Sequence, residues 1–233
     1  MYCPNVPEYP IIFFAVTSFG GIVTTVNPLY TADELAMQLV DSGCKGVFTV
    51  PELLLKSRKA CAKARIASSK IFVIGESKGC ETLSKLLDEK ILSNDSISKD
   101  DVTSSNVAFL PYSSGIIDLP KGVLLSHRNL VAGCSIASVE GMFNIEKSSI
   151  VLGSLPFFHS YSVMIALSLT LYLGGKVVCA PSLESEAILK MIQQHKVKEN
   201  LMIFVCCNDS DTQYLIIATK MSTSKPNLRV YNR

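Results

Sequence analysis

The stretch at 111–123 reads PYSSGIIDLPKGV and links two apolar, strand-like runs, at 106–111 and 123–125. Between these runs lie small and polar residues and one lysine, Lys121. Backbone amides freed by serine and glycine, together with one ammonium group, form a cradle for a phosphate chain. The pattern therefore predicts a phosphate-binding loop, although Lys121 beside a Pro-Gly pair is also compatible with a solvated turn.

Outward from the loop, strand-like runs alternate with helical segments along the chain. Strands are predicted at 22–26, 46–50, 71–74, 106–111, 123–125, 149–155 and 176–180. Helices are predicted at 7–19, 31–41, 51–65, 81–92, 126–142, 162–173 and 182–195. Thr31 and Glu34 have the spacing of a capping box. Alternation of this kind implies right-handed crossovers, so the predicted fold class is α/β, a mostly parallel sheet flanked by helices.

Composition limits the class of partner. Of the 233 residues, 48% are hydrophobic and 18% are charged, which is typical of a chain with a large core. The formal net charge is +2, and no long run of Lys and Arg occurs. We therefore expect no nucleic-acid partner.

The eight cysteines are scattered without a Cys-x-x-Cys pair, and the three histidines have no ligand spacing from them. This pattern favours reduced thiols in an intracellular compartment and no metal site. A strained vicinal disulfide between Cys206 and Cys207 is the alternative that remains open.

No charged residue occurs from Tyr9 to Ala32, so a membrane span has to be considered. Gly20-Gly21, Asn27 and Pro28 divide this run, which favours a buried helix followed by a buried strand. Glu8 precedes the run and no basic segment leads into it, so we expect neither a transmembrane span nor a signal peptide.

Five motifs in a fixed order carry a resemblance to the AMP-forming acyl-CoA synthetase superfamily, which includes 4-coumarate–CoA ligases and firefly luciferase. They are Pro4-Asn5 with Pro7-Glu8, Asn27-Pro28-Leu29-Tyr30 with Glu34-Leu35, the loop at 112–123, Ser126-His127-Arg128-Asn129, and Leu155-Pro156-Phe157-Phe158-His159. The resemblance covers about residues 4–197. It implies a partial AMP-binding large N-terminal domain over 1–198, followed by a divergent C-terminal tail over 199–233.

The resemblance implies a two-step reaction. A carboxylic acid attacks the α-phosphate of ATP, with Mg²⁺ assisting, to give an acyl-adenylate and pyrophosphate; a thiol, usually coenzyme A, then displaces AMP. The acid would be a fatty or aromatic acid. Phosphate-loop roles are implied for Ser113, Ser114, Gly115, Ile116, Ile117, Lys121 and Gly122.

The resemblance also implies that His159 is catalytic, at the point where acyl substrate and α-phosphate meet, and that Tyr161 lines the acyl pocket. No metal-ligating side chain is assigned. Without the resemblance, His159 would be interpreted as a turn or N-cap histidine and Tyr161 as part of the core.

The centre of the loop departs from the family pattern, which reads Ser-Gly-Thr-Thr-Gly-Leu-Pro-Lys-Gly. Ile116 and Ile117 replace two hydroxyl donors, each worth about 1–3 kcal/mol if its partner stays buried. β-Branched side chains also resist the positive φ that such loops use. Asp118 replaces a glycine and sets a carboxylate near a triphosphate, which it repels unless Mg²⁺ bridges them. We therefore expect impaired binding of ATP.

Beyond about residue 200 the chain carries none of the family's later motifs, so we expect the C-terminal lid domain to be absent and the chain alone to be inactive. The alternative is a non-catalytic acyl- or nucleotide-binding module, or a partner of a full-length paralogue. Sheet edges left exposed would favour self-association. The cytoplasm and the peroxisome both remain open as locations, and the terminal Tyr231-Asn232-Arg233 is no peroxisomal address.

Overall fold

A computed structural model describes residues 1–88, 102–113, 120–139, 142–143, 145–181 and 184–197. These residues divide into two compact units, one formed by 1–4 with 8–130 and the other by 5–7 with the chain from 131 onward. The predicted tail at 199–233 lies outside the described residues, and the boundary predicted at 198 stays a prediction.

The strands are short and mostly parallel. In chain order they are β1 Val23–Thr24, β2 Val47–Thr49, β3 Ile71–Val73, β4 Glu81–Thr82, β5 Val107–Leu110, β6 Leu125–Ser126, β7 Ile150–Gly153 and β8 Lys176–Cys179. They form sheets with the orders β1-β5-β6, β2-β3-β4 and β7-β8. Among the described strands, all pairings are parallel except β5 with β6. The predicted α/β class with a mostly parallel arrangement is confirmed.

The helices lie between these strands. They are α1 Tyr9–Ser18, α2 Ala32–Asp41, α3 Leu54–Lys63, α4 Leu83–Asp88, α5 His127–Ala137, α6 Thr170–Tyr172 and α7 Ser185–His195. A 3₁₀ turn at Pro51–Leu53 leads into α3, another at Ser68–Lys70 leads into β3, and a π-helix at Ser162–Leu169 leads into α6.

The N-terminal residues connect two sheets of the first unit. Tyr2 forms a parallel bridge with Thr49 at the end of β2, and its amide donates to the carbonyl of Phe48 at 2.9 Å. The Met1 carbonyl accepts from the amide of Val26 at 2.9 Å, just after β1. Tyr2 is fully buried in the apolar cluster that α2 and α3 share with β2 and β3. The first residues therefore act as an extra strand between β1 and β2.

The second unit has two apolar clusters. One joins β7 to the π-helix through Val151, Ile165 and Leu169. The other joins β7 to α7 through Leu152, Ile188 and Ile192. Adjacent residues of β7 thus contribute to different clusters, as expected for a strand whose successive side chains alternate between faces.

Several predicted helices begin or end at other residues in the structure. The helix predicted from residue 81 begins at Leu83, because Glu81 and Thr82 pair with β3. The helix predicted to end near Met142 ends at Ala137, where the Ser138 hydroxyl donates to the carbonyl of Ser135 at 2.7 Å. The helix predicted to open at Ser182 begins at Ser185, and residues 182–183 lie outside the described residues.

No helix within the described ranges is long and apolar enough to cross a membrane. The uncharged run after Glu8 instead supplies α1, of ten residues, and β1. The described cysteines are free thiols, and Cys206 and Cys207 lie outside the described residues.

The predicted capping box at the start of α2 is confirmed, and it makes the helix sensitive to pH. The Thr31 amide and hydroxyl both donate to the Glu34 carboxylate at 2.8 Å, and these bonds lower the pKa of Glu34 from its ordinary value of 4.5. A lowered folded-state pKa means that the stabilisation is present above the ordinary value and is lost as pH falls through the folded-state value.

We expect Glu34→Gln to remove this pH dependence, because an amide oxygen accepts the same bonds without titrating. Chemical unfolding at a series of pH values between 6 and 3 measures it. The stability difference between wild type and Glu34→Gln should shrink as the pH falls, whereas a difference that stays constant would contradict the assignment.

Candidate functional site

The ends of the predicted phosphate-binding loop are joined as a β-hairpin stem. The Ser113 amide donates to the carbonyl of Lys121 at 3.0 Å, and the Val123 amide donates to the carbonyl of Pro111 at 2.9 Å. The Lys121 amide points to the hydroxyl oxygen of Ser113 at 3.4 Å. Ser113 and Lys121 are therefore held opposite each other where the chain enters and leaves the loop.

The stem is packed closely at Gly122, which pairs with Tyr112 in an isolated antiparallel bridge. A Cβ added at Gly122 would lie 3.0 Å from Leu110 Cδ1 and 3.2 Å from Tyr112 Cζ. The Tyr112 ring thus lies against the Cα of Gly122. The resemblance implies that Gly122 allows close backbone approach, and here the partner that approaches is Tyr112.

The residues that follow the stem make hydrogen bonds of their own, which do not involve the loop. The Ser126-His127-Arg128-Asn129 motif forms the start of α5: the Ser126 amide donates to Asn129 Oδ1 at 2.9 Å, and the Asn129 amide donates to Ser126 Oγ at 3.2 Å. These reciprocal bonds satisfy amides that the first turn of a helix leaves unpaired. The motif therefore has a structural reason that does not depend on a ligand.

A second set of predicted residues lies on the turn after β7, in the second unit. The buried Asn5 side chain donates from Nδ2 to the carbonyls of Gly153 and Leu155, at 3.0 and 2.9 Å. Its Oδ1 accepts from the amide of Phe157 at 2.8 Å. One amide side chain thereby satisfies three backbone groups of the turn that leads to His159.

His159 closes this turn. Its amide donates to the carbonyl of Pro156 at 3.1 Å, and its carbonyl accepts from the Val163 amide at 3.1 Å in the following helix. The side chain is exposed, but its ring lies 4.5 Å from the Phe158 ring, centroid to centroid. Partial desolvation lowers the pKa of His159, so the neutral imidazole is favoured.

Tyr161 and Ser162 follow at the start of the π-helix. Tyr161 packs against the apolar cluster of Val151, Ile165 and Leu169, and burial raises its pKa. Among the described residues, the buried hydroxyls of Tyr161 and Ser162 have no hydrogen-bond partner. Such orphaned hydroxyls are uncommon in a folded core, and π-helical turns often occur at functional sites.

The structure therefore brings Ser113, Lys121 and Gly122 together at the stem of the loop. His159 and Tyr161 lie two positions apart in the chain, on the turn after β7 and at the start of the π-helix. Four other predicted positions, Ser114, Gly115, Ile116 and Ile117, lie outside the described residues. Sequence reasoning did not single out Asn5 as a site residue, although the resemblance quoted it as part of a motif. It also missed Asp41, which accepts a hydrogen bond from the Tyr112 hydroxyl at 2.5 Å.

The chemistry of the stem suits a phosphate chain better than a metal ion. The exposed Lys121 ammonium and the Ser113 hydroxyl are groups that bind phosphate oxygens. Within the described ranges, no cluster of three or more His, Cys, Asp or Glu side chains is arranged to hold a metal ion.

Two surface grooves lie in the described part of the first unit, and no described residue of the loop at 112–123 lines either of them. One, of about 480 Å³, is lined by Asp33, Ala36, Met37, Val40, Asp41 and Lys63. Another, of about 810 Å³, follows β3 and is lined mainly by residues 74–78 and 82–84. Both are open to solvent, and neither contains a residue that the sequence predicted as functional.

Known proteins are similar to this chain in sequence and in fold. The chain is 34% identical over 200 residues to a 4-coumarate–CoA ligase of Oryza sativa subsp. japonica, an alignment that covers 83% of this chain and 35% of the relative. A long-chain-fatty-acid-CoA ligase, FadD1, from Archaeoglobus fulgidus has a similar structure, with a TM-score of 0.71, 25% identity, and coverage of 85% of this chain and 38% of that one. An anthranilate CoA ligase, AuaEII, solved with anthranoyl-AMP, shares the fold at a TM-score of 0.69 and 18% identity, with coverage of 85% and 39%.

The fold is thus the mixed α/β fold of the N-terminal part of acyl-CoA ligases. The family model that matches describes AMP-binding enzymes and covers residues 1–199, so the chain belongs to the AMP-binding enzyme family. The chain spans a little over one third of the length of the relatives it matches.

We expect Asn5→Ala to destabilise the turn at 153–157, because it removes three buried hydrogen bonds, to the carbonyls of Gly153 and Leu155 and from the amide of Phe157. The expected loss in the free energy of unfolding is about 2–4 kcal/mol. Urea denaturation measures it, with Asn27→Ala as the matched control, since Asn27 makes an exposed hydrogen bond to the Leu29 amide. Equal effects of the two substitutions would show that the three bonds of Asn5 do not stabilise the fold.

Proposed function

We propose that this chain carries the phosphate-binding loop and the acyl-binding turn of an acid–thiol ligase that activates a carboxylic acid with ATP. The observation that carries the proposal is the closed stem, which holds the Ser113 hydroxyl and the Lys121 backbone together at the mouth of the loop. Membership of the AMP-binding family over residues 1–199 supports it.

In this proposal Lys121 attracts the negative phosphate chain, while Ser113 and the loop amides donate hydrogen bonds to its oxygens. Adenylyl transfer is catalysed mainly by positioning and by stabilising charge, so no covalent side chain is required. Mg²⁺, when bound with the nucleotide, would neutralise phosphate charge. His159 is exposed at the end of its turn and partial desolvation lowers its pKa, and in this proposal its imidazole would donate a hydrogen bond to the reacting oxygens.

The acid in this proposal has an apolar body, either aromatic or alkyl. Tyr161 packs against the apolar cluster that includes Ile165 and Leu169, and its buried hydroxyl has no hydrogen-bond partner among the described residues. The names of the relatives, a 4-coumarate–CoA ligase and a long-chain-fatty-acid-CoA ligase, support the same two classes of acid. Coenzyme A is the proposed acceptor.

The residues at the centre of the loop determine how tightly we expect the chain to bind ATP. Ile116 and Ile117 provide no hydroxyl donor, and Asp118 adds a negative charge beside the phosphate chain. We therefore propose that the 233-residue chain binds ATP weakly and is inactive, or nearly so, in forming the acyl-adenylate by itself.

Acid-dependent exchange between ATP and radiolabelled pyrophosphate tests this with the purified chain. We expect exchange close to background with 4-coumarate and with a long-chain fatty acid, and robust exchange would contradict the proposed inactivity.

Calorimetry with a non-hydrolysable acyl-AMP analogue tests the second candidate, a non-catalytic acyl- or nucleotide-binding module. That candidate is favoured by an intact stem beside an altered loop centre. Micromolar binding without exchange supports it, and no binding excludes it.

The triple variant Ile116→Thr, Ile117→Thr, Asp118→Gly should bind ATP about tenfold more tightly, because it restores two donors and removes a repelling charge. Calorimetric titration with Mg²⁺–ATP measures the Kd. Ile136→Thr, at an exposed position of α5, is the matched control for an isoleucine-to-threonine change and should leave the Kd unaltered. An unchanged Kd in the triple variant would show that the loop centre does not limit binding.

A further inference from the structure

Tyr112 makes a hydrogen bond that no family motif predicts. Its hydroxyl donates to Asp41 Oδ2 at 2.5 Å, across a separation of 71 residues in the chain. Tyr112 is the first residue after Pro111 at the entrance of the loop, and Asp41 is the last residue of α2. The bond therefore connects the loop entrance to the C-terminal end of a neighbouring helix.

The helix that supplies Asp41 is anchored to the sheet that supplies Tyr112. The buried Gln38 side chain donates to Thr24 Oγ1 at 3.1 Å and to the Thr25 carbonyl at 3.0 Å, which ties α2 to the end of β1. Thr24 Oγ1 in turn donates to the carbonyl of Leu110 at 2.8 Å, at the end of β5. The loop entrance is therefore connected to α2 twice, through the backbone of Leu110 and through the side chain of Tyr112.

This arrangement fixes the orientation of the tyrosine ring. A single backbone connection through Leu110 would leave the ring free to rotate about its side-chain torsions. The second connection, from its hydroxyl to Asp41, holds the ring over Gly122, where it lies against the returning strand of the stem. The ring therefore keeps the two sides of the stem in register.

We propose that Tyr112 and Asp41 are a positioning pair, which keeps the stem closed so that Ser113 and Lys121 face each other across the loop. The expected effect on nucleotide affinity rests on the proposed function, whereas the expected effect on the hydrogen bonds of the stem does not. Burial and the Asp41 carboxylate both raise the pKa of Tyr112, so its hydroxyl remains a proton donor at physiological pH.

Hydrogen exchange of the Ser113 and Val123 amides tests the pair directly, because these two amides close the stem. Tyr112→Phe keeps the ring and removes the donor, Asp41→Ala removes the acceptor, and Asp41→Asn keeps an acceptor oxygen. We expect about fivefold faster exchange at both amides in the first two variants, and exchange within about twofold of wild type in Asp41→Asn. Tyr172→Phe, which removes an exposed hydroxyl of the second unit, should change neither amide.

The amides of α3 and α7 report general loss of stability, and their exchange rates should not change. The same variants are titrated with Mg²⁺–ATP, where Tyr112→Phe and Asp41→Ala should raise the Kd about fivefold and Asp41→Asn should rescue it. Unchanged exchange at Ser113 and Val123, or no rescue by Asp41→Asn, overturns the positioning pair. If wild type binds no ATP, the proposed function fails, and the exchange rates alone still decide whether the pair holds the stem.

Discussion

The buried amide of Asn5 determines the shape of the turn after β7. Its side chain makes three buried hydrogen bonds, to the carbonyls of Gly153 and Leu155 and from the amide of Phe157. The turn leads on to His159 and to the π-helix, so these bonds hold the backbone from which both continue. An asparagine is required here, since only a side-chain amide both donates two bonds and accepts one at this size.

Much of the fold could be predicted because it follows from local patterns. The capping box of Thr31 and Glu34 set the start of α2, and β-branched runs marked β2 and β3. The antiparallel direction of β6 was not predicted. β6 pairs with β5 in the antiparallel direction, whereas the alternation of strands and helices favours parallel pairing. The π-helix was not predicted either, because residues 162–173 have the pattern of an ordinary buried helix and π-helical turns are rare.

The site could be predicted only in part, for a different reason. Lys121 and His159 stand in short motifs that can be recognised along the chain. Asp41 belongs to no such motif, and its bond to Tyr112 exists only because α2 and β5 become neighbours when the chain folds. Interactions between residues so far apart in sequence depend on tertiary structure, which local spacing does not encode.

The stem of the loop is closed by residues that flank the loop centre. Its hydrogen bonds use groups of Pro111, Ser113, Lys121 and Val123, and none of them uses a group of residues 116–118. Side chains at 116–118 can therefore be exchanged without removing any of these stem bonds. The stability of the stem and the chemistry of the loop centre are thus separable properties of this segment.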